Sequence, residues 1–160
     1  MATFQVVWKG DRAFADALRG ASIRQRQSVV TAVGRAGIRV QEIVRENLDR
    51  GVYSSPPAAS GYIRTHRLMN SVHASPPDAS HDDDHDRALN NDLAARAPSR
   101  AAGWDGDNIV SEVGSWVDYA DFVHEGVNQP TPTLFVEDAV DEAEDALADE
   151  MEKMAVKLTV

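Results

Sequence analysis

The densest group of metal-binding side chains in the sequence is the run HDDDHD, which extends from His81 to Asp86. His81 and His85 are four residues apart, and histidine with carboxylates is a ligand set for zinc or manganese. Catalytic metal sites usually draw their ligands from several rigid elements, whereas this run lies in a segment rich in Pro, Ser, Asp and Ala. We therefore interpret it as a solvated acidic loop and predict no bound metal or other cofactor.

A second group of reactive side chains lies in the stretch DYADFVHEG, residues 118–126. Here His124 is a candidate general base, with Asp121 or Glu125 as its carboxylate partner. The sequence has no glycine-rich phosphate loop, no nucleophile elbow and no pair of zinc-binding histidines on a helix. We predict that the chain is not an enzyme. A metal-dependent hydrolase or nuclease, using His124 and the two histidines of the acidic run, is the alternative.

The elements that position these residues begin with a predicted strand at residues 3–9 and a predicted short helix at residues 11–20. From Ser22 to about Asp49, apolar residues recur every three or four positions, which predicts an amphipathic helix. Gly51 is expected to close it. Its apolar stripe consists of Val29, Val33, Ala36, Val40, Ile43 and Leu48.

Two glycines interrupt this helical stripe at positions 34 and 37. Each weakens a helix by about 1 kcal/mol relative to alanine. We expect Gly34 and Gly37 to permit either the close approach of another backbone or a bend.

The middle of the chain is predicted to contain a loop, a short helix and a flexible insertion. Residues 52–62 contain two prolines and a glycine, which is typical of a loop. Thr65 is positioned to cap a short helix that begins at about Arg67. Residues 76–106 are poor in β-branched side chains and rich in Pro, Ser, Asp and Ala, which predicts a flexible insertion.

The C-terminal part combines a strand with the clearest helix in the sequence. Ile109, Ser111 and Val113 alternate with Val110 and Glu112, which predicts a strand. The final apolar stripe consists of Val136, Val140, Ala143, Leu147, Met151, Met154 and Leu158, and Asp and Glu occupy the opposite face. We predict a single domain of residues 1–160 with an α+β fold, in which two long amphipathic helices and short helices pack on a small antiparallel sheet.

Charge is distributed unevenly along the chain, whose net charge is −10. Residues 1–75 contain 11 Lys and Arg and 5 Asp and Glu, whereas residues 76–160 contain 5 and 21. A basic half and an acidic half can attract copies of the chain head to tail, the arrangement that closes into a ring. Two solvated faces are the alternative. The acidic total argues against free nucleic acid as the primary ligand.

The composition excludes some classes of protein. Cysteine is absent, so disulfides and thiolate metal sites are excluded. We see no apolar run near the roughly 18–20 residues that cross a bilayer and no signal peptide, and we expect a protein made in a cytoplasm. Aspartate accounts for 17 of the 26 acids and lysine for 3 of the 16 cations. This bias fits a GC-rich genome or a source in strong salt, where charge repulsion is screened.

Two motifs and a short proline-containing segment follow one another along the chain. The first, RTHRLMNSV at residues 64–72, carries Thr65, Arg67, Leu68 and Ser71, with His66 between the first two. The second, DYADFVHEG, carries Tyr119, Ala120, Phe122, Val123 and Gly126. The proline-containing segment carries Pro130, Pro132, Leu134 and Phe135.

In this order, and between two long helices, these motifs resemble the small tail-completion or neck proteins of long-tailed phages and related tailed viruses. The first motif in that family typically reads Thr-Gly-Arg-Leu followed by Ser, so His66 stands where glycine is usual. The second typically has Glu, an aromatic residue and Gly-Thr after its apolar pair, and His124, Glu125 and Val127 depart from it. The resemblance covers nearly the whole chain except residues 76–106.

The resemblance implies a structural virion protein at the head–tail junction. Such a protein forms an oligomeric ring that joins the tail to the filled head and lets DNA pass without sequence-specific binding. The implied partners are further copies of the chain, connector or head-completion proteins, and tail-terminator or tail-tube proteins. The implied subunit-contact residues are Arg64, Arg67, Leu68, Tyr119, Phe122, Glu125, Leu134 and Phe135. A small regulatory or toxin-type binding protein is a further alternative.

Overall fold

The fold is described from a computed structural model of the chain. The structure describes residues 3–4, 16–17, 19–54, 66–76, 98, 101–115, 117, 123 and 137–158. These residues form an α+β fold of mostly helical content, in which two long helices pack against each other and against short antiparallel strands. The predicted fold class is confirmed.

The first long helix, α1, extends from Ile23 to Leu48 and confirms the predicted amphipathic helix. Ser22 caps it, because its Oγ accepts a hydrogen bond from the backbone N–H of Gln25 at 3.3 Å. The Gln25 side chain accepts one in return from the N–H of Ser22 at 2.9 Å. This reciprocal pair satisfies N–H groups that have no partner within the helix. The whole predicted stripe is buried, namely Val29, Val33, Ala36, Val40, Ile43 and Leu48.

The C-terminal end of α1 differs from the prediction. Gly51 does not close the helix, because Asp49–Tyr53 continue it as a π-helical turn. Val52 within this turn is buried, so the turn contributes a side chain to the core. The next described helix, α2, extends from Arg67 to Ser71, close to its predicted start.

In the described part of the chain, five short strands form two antiparallel sheets. They are β1 (Thr3–Phe4), β2 (His73–Ser75), β3 (Gly103–Asp105), β4 (Asn108–Val110) and β5 (Glu112–Gly114). One sheet has the order β1-β5-β2, and the other is the β3-β4 hairpin. The hairpin turns at Gly106, whose φ of 56° is a conformation that glycine adopts without steric cost.

Two sequence predictions about this region are wrong. Residues 109–113 do not form one strand, because β4 pairs with β3 whereas β5 pairs with β1 and β2. Ser111 separates them, and its buried Oγ donates a hydrogen bond to the carbonyl oxygen of Ala101 at 2.6 Å. Residues 101–106, assigned to the flexible insertion, begin with a buried Ala101 and continue into β3. Apart from Pro76 and Pro98, the rest of the predicted insertion lies outside the described residues.

The second long helix, α3, extends from Glu137 to Leu158 and confirms the predicted C-terminal helix. It packs antiparallel to α1. Its start contributes Ala139 and Ala143 to a cluster with Val40, Val44 and Leu48, whereas its later residues Leu147, Met151 and Met154 pack against a cluster with Val29, Val30 and Val33. An ion pair between Arg35 and Glu150, with an N–O distance of 3.7 Å, crosses the contact.

The stripe predicted for the start of α3 is rotated in the structure. Val140 is 47% exposed, whereas Ala139 and Ala143 are 0% and 1% exposed. Ala139 and Ala143 are four residues apart and therefore share one side of the helix. Val140 comes one residue after Ala139 and points to a different side. Small side chains therefore line this end of the α1–α3 contact, and a valine faces outward.

The α1 helix lies very close to other parts of the chain at two glycines. A Cβ atom at Gly34 would overlap the carbonyl oxygen of Pro98 and lie 2.9 Å from its carbonyl carbon. A Cβ atom at Gly37 would overlap the Oγ of Ser111 and lie 2.9 Å from its Cβ. The close approach predicted as one role for these glycines is confirmed.

Candidate functional site

Two of the predicted subunit-contact residues, Arg67 and Leu68, lie in the described part of the chain. Arg67 is half-buried at the first position of α2, whereas Leu68 is 1% exposed and belongs to the core. Leu68 therefore packs within the core of its own chain. Outside the described residues lie the other predicted candidates, namely Arg64, Tyr119, Phe122, Glu125, Leu134 and Phe135, together with His81, His85 and His124.

The start of α2 depends on the backbone conformation of His66, which has φ 56° and ψ 6°. Among the described residues, His66 is the only one other than glycine with a positive φ. A side chain in this left-handed region brings its Cβ too close to the following carbonyl oxygen. His66 is also the N-cap of α2, and its side chain makes no capping hydrogen bond. The prediction that Thr65 caps this helix is therefore wrong, because the cap position falls one residue later.

Tyr53, at the end of the π-helical turn, holds His66 in place. The two rings are stacked, with centroids 4.2 Å apart and an angle of 13° between their planes. The hydroxyl of Tyr53 also accepts a hydrogen bond from the backbone N–H of Met69 at 3.4 Å. A strained backbone conformation persists when its surroundings hold it, and Tyr53 supplies contacts on both sides of the start of α2.

A directional chain of hydrogen bonds joins α2 to the sheet. The Oγ of Ser71 donates to the carbonyl oxygen of Leu68 at 2.7 Å, so it accepts from the Oγ of Ser115, which lies 2.5 Å away. The Oγ of Ser115 in turn accepts from the backbone N–H of Val117 at 3.3 Å. Val123, within the second motif, packs against the core cluster that contains Leu68. The structure thus joins the first motif to residues just before the second motif and to Val123 within it.

Arg45 attaches α1 to the residue that follows α2. Its Nη2 donates a hydrogen bond to the carbonyl oxygen of Val72 at 2.7 Å. Burial lowers the pKa of Arg45, because desolvation disfavours its charged form, and the nearby charge of Glu42 opposes this shift. The buried Nε of Arg45 has no hydrogen-bond partner in the described part of the chain. Arg45 therefore links α1 to the end of the first motif, and burying its charge costs free energy.

The outer side of β2 is covered by α1. The Oε1 of Gln41 accepts a hydrogen bond from the backbone N–H of Ala74 at 2.7 Å, and Gln41 is 6% exposed. Ala74 lies opposite Val113 on β5, yet its N–H is bonded to the helix instead of to that strand. A buried glutamine on α1 thus satisfies a backbone donor at the edge of the sheet.

The sequence prediction omitted Gln41, Ser115 and Tyr53 from the site. For Gln41 a signal exists, because it is a polar residue three positions before the buried Val44 and four after Gly37. A polar side chain at such a position needs a specific hydrogen-bond partner. Ser115 and Tyr53 carry no such periodic signal, because their partners are distant in the sequence.

The two long helices carry opposite charges. Between residues 17 and 41 there are five arginines and no Asp or Glu, whereas between residues 137 and 152 there are nine Asp and Glu and no Lys or Arg. Exposed members include Arg24, Arg35 and Arg39 on α1, and Glu142, Glu144, Asp145, Asp149 and Glu152 on α3. Spacings of 11 and 4 residues place the three exposed arginines on one side of α1. None of the described helices is both long and apolar enough to span a membrane.

Within the described residues, no group of three or more His, Asp or Glu side chains is placed to hold a metal ion. The described site consists of a buried joint between the two motifs and two oppositely charged helix faces. Oppositely charged faces of this kind can complement charges on another surface.

Comparisons of the chain with protein-family models, with curated proteins and with solved structures gave no match.

Proposed function

We propose that this protein is a structural component of a tailed virion at the head–tail junction, a tail-completion or neck protein. Several copies form a ring that joins the tail to the filled head and lets DNA pass. Its partners are further copies of itself, a connector or head-completion protein, and a tail-terminator or tail-tube protein. The proposal begins from the resemblance of the two motifs and their order along the chain.

The observation that carries this proposal is the left-handed conformation of His66. The pattern of the resembled family has glycine at this position, and glycine is the residue that adopts a φ of 56° without strain. A histidine with this left-handed backbone supports the alignment of RTHRLMNSV with the first motif of the resembled family. The backbone at His66 has the positive φ that glycine favours.

The roles of the other matched residues support a structural function. Leu68 lies in the core, and Ser71 joins α2 to Ser115 beside the second motif. These residues position elements rather than present reactive groups, which is what the motifs of an assembly protein require. The second motif is represented in the described part of the chain by Val123, which packs against the same core cluster.

The charged helices support the ring and the passage of DNA. Contacts between subunits of a ring are heterologous, so two different faces of each copy must complement each other. The arginines of α1 and the carboxylates of α3 are two such faces. An acidic surface in the lumen repels phosphate, so DNA slides through without being held.

The assembly is tested by measuring native masses of the purified protein alone and mixed with connector and tail-tube proteins of the same source. We expect a closed oligomer of the chain, or a complex in which it binds one of these proteins. Electron microscopy of virions with a label attached to this chain should place the label at the neck. A persistent monomer that binds neither partner, or a label elsewhere on the particle, contradicts the proposal.

The conformation of His66 is tested with two substitutions that both remove its stacking on Tyr53. His66→Gly also relieves the left-handed strain, whereas His66→Ala keeps it. We expect His66→Gly to be more stable than His66→Ala by about 1 kcal/mol in urea denaturation. Equal stabilities, or a more stable alanine variant, would remove the structural support for the alignment.

A further inference from the structure

The two ends of α2 are held differently. Where it ends, Ser71 and Val72 are 4% and 1% exposed, and the carbonyl oxygen of Val72 accepts a hydrogen bond from Arg45 at 2.7 Å. Where it starts, His66 is exposed and Arg67 is half-buried. Local opening of a folded protein occurs where few apolar contacts are buried. The start of α2 meets this condition, whereas its end does not.

Tyr53 contacts the start of α2 twice. Its ring stacks on the ring of His66 with the centroids 4.2 Å apart, and its hydroxyl accepts a hydrogen bond from the backbone N–H of Met69 at 3.4 Å. Tyr53 ends the π-helical turn, in which the N–H of Ser54 donates to the carbonyl oxygen of Asp49 at 2.7 Å. Turns of this kind are rare and frequently lie at functional sites. A single side chain thus connects this turn to the start of α2.

The backbone of His66 opposes the stacked state. Its φ of 56° brings the Cβ atom close to the following carbonyl oxygen, which costs free energy. The stacking of two aromatic rings contributes a favourable free energy of the same order. The first turn of α2 contains Arg67 and no acid, an arrangement that the helix dipole disfavours. Because the opposing terms are similar in size, the stacked state is only weakly favoured.

We infer that the start of α2 is a local conformational switch. In the closed state, His66 stacks on Tyr53 in the left-handed conformation, and the N–H of Asn70 donates a hydrogen bond to the carbonyl oxygen of His66 at 2.9 Å. In the open state, the stack and this hydrogen bond are broken and His66 leaves the left-handed conformation, while Leu68 stays in the core. The inference concerns the isolated chain and does not rest on the proposed function.

Opening changes the surroundings of Arg67, which lies between the exposed His66 and the buried Leu68. In the closed state Arg67 is the first residue of α2, and in the open state its backbone leaves the helix. A protein surface that contacts Arg67, a predicted subunit-contact residue, therefore has different affinities for the two states. Its binding shifts their populations. The switch thereby couples the conformation of the first motif to binding at Arg67.

The test is amide hydrogen exchange of the full chain, measured by NMR without urea and at urea concentrations below the unfolding transition. The amide of Asn70 reports the start of α2, and the amide of Ala74, which donates to Gln41 at 2.7 Å, reports the core. We expect the exchange rate of Ala74 to rise about 10-fold or more per molar urea, because global unfolding exposes much surface. The rate of Asn70 should change by less than about 2-fold, because local opening exposes little surface.

The variant His66→Ala removes the stack and keeps the backbone strain. It should exchange the Asn70 amide about 3- to 10-fold faster than the wild type without urea. Arg50→Ala is the matched control, because Arg50 is exposed in the same π-helical turn, and it should leave the Asn70 rate unchanged.

Four results overturn the inference. If urea accelerates Asn70 and Ala74 equally, Asn70 exchanges only when the whole fold unfolds. If the Asn70 amide of the wild type exchanges as fast as in an unstructured peptide, the closed state is not formed. If His66→Ala exchanges like the wild type, or Arg50→Ala as fast as His66→Ala, the stack does not control the opening. The native masses that test the proposed function are independent of all four results.

Discussion

The α1 helix is held on two sides by contacts of different character. Toward the strands and Pro98 it presents Gly34 and Gly37, and backbone and side-chain atoms fill the space that a Cβ would need. Toward α3 it faces partly buried side chains that include Met151 and Met154. The first contact depends on the absence of side chains, whereas the second uses flexible side chains that adapt to their neighbours. The side of α1 that faces the strands therefore tolerates little change, whereas the part of α1 that faces Met151 and Met154 tolerates more.

The largest effect that tests this difference is expected for Gly34→Ala. The new methyl group would overlap a backbone carbonyl oxygen, which no rotamer change can remove. Overpacking outweighs the gain in helix propensity, and we expect a loss of about 2 kcal/mol in the free energy of unfolding. Urea denaturation measures it. Gly20→Ala is the control, because nothing lies within 4 Å of its added Cβ, and it should change stability by less than about 0.5 kcal/mol.

Gly37→Ala should cost less, about 1 kcal/mol, because the atoms in the way belong to the Ser111 side chain. Pairing it with Ser111→Gly removes those atoms. The double variant should be more stable than the sum of the two single effects predicts, by about 1 kcal/mol. If the two effects are strictly additive, the added methyl group does not clash with the Ser111 side chain, contrary to the packing described.

On the tolerant side, Met151→Leu should change the free energy of unfolding by less than about 1 kcal/mol. The substitution conserves volume, and Met151 is only partly buried at the α1–α3 contact. Thermal and urea denaturation provide the measurement. A loss as large as that of Gly34→Ala would remove the distinction between the two sides of α1.

The smallest effect is expected for Arg35→Ala, which breaks the ion pair across the same contact. The Arg35 side chain is 44% exposed, the N–O distance is 3.7 Å, and Glu150 keeps a hydrogen bond from Lys153 at 2.7 Å. Solvent screening limits such a pair to about 0.5 kcal/mol. A double-mutant cycle with Glu150→Gln isolates this energy, and a coupling above about 1 kcal/mol would contradict the assignment of the pair as weak.

The two long helices could be predicted from the sequence because a period of 3.6 residues is repeated over more than twenty positions in each. The same regularity located Leu68 in a short helix. It did not reveal that Val140 faces outward, because an apolar stripe read by residue type favours valine over the neighbouring Ala139. Which of the two is buried depends on the rotation of α3 against α1, and that is a tertiary property.

The strands and the joint between the motifs were harder to predict because they depend on contacts between distant residues. Trp104 lies in a three-residue strand that is defined by its pairing with β4 and has too few residues for a periodic pattern. The bond of Ser71 to Ser115 joins residues 44 positions apart. The positive φ of His66 is uncommon for a residue with a Cβ atom, and only the resemblance, which has glycine there, contained a hint of it.

The hydrogen bond from Ala74 to Gln41 also has a consequence for the edge of the sheet. An edge strand has unpaired backbone N–H and C=O groups to which a strand of another chain can bond. Such pairing leads to aggregation and fibrils. Because Gln41 accepts the N–H of Ala74, that donor is not available to a foreign strand on the β2 side. Gln41 thereby reduces the tendency of this edge to accept a strand from another chain.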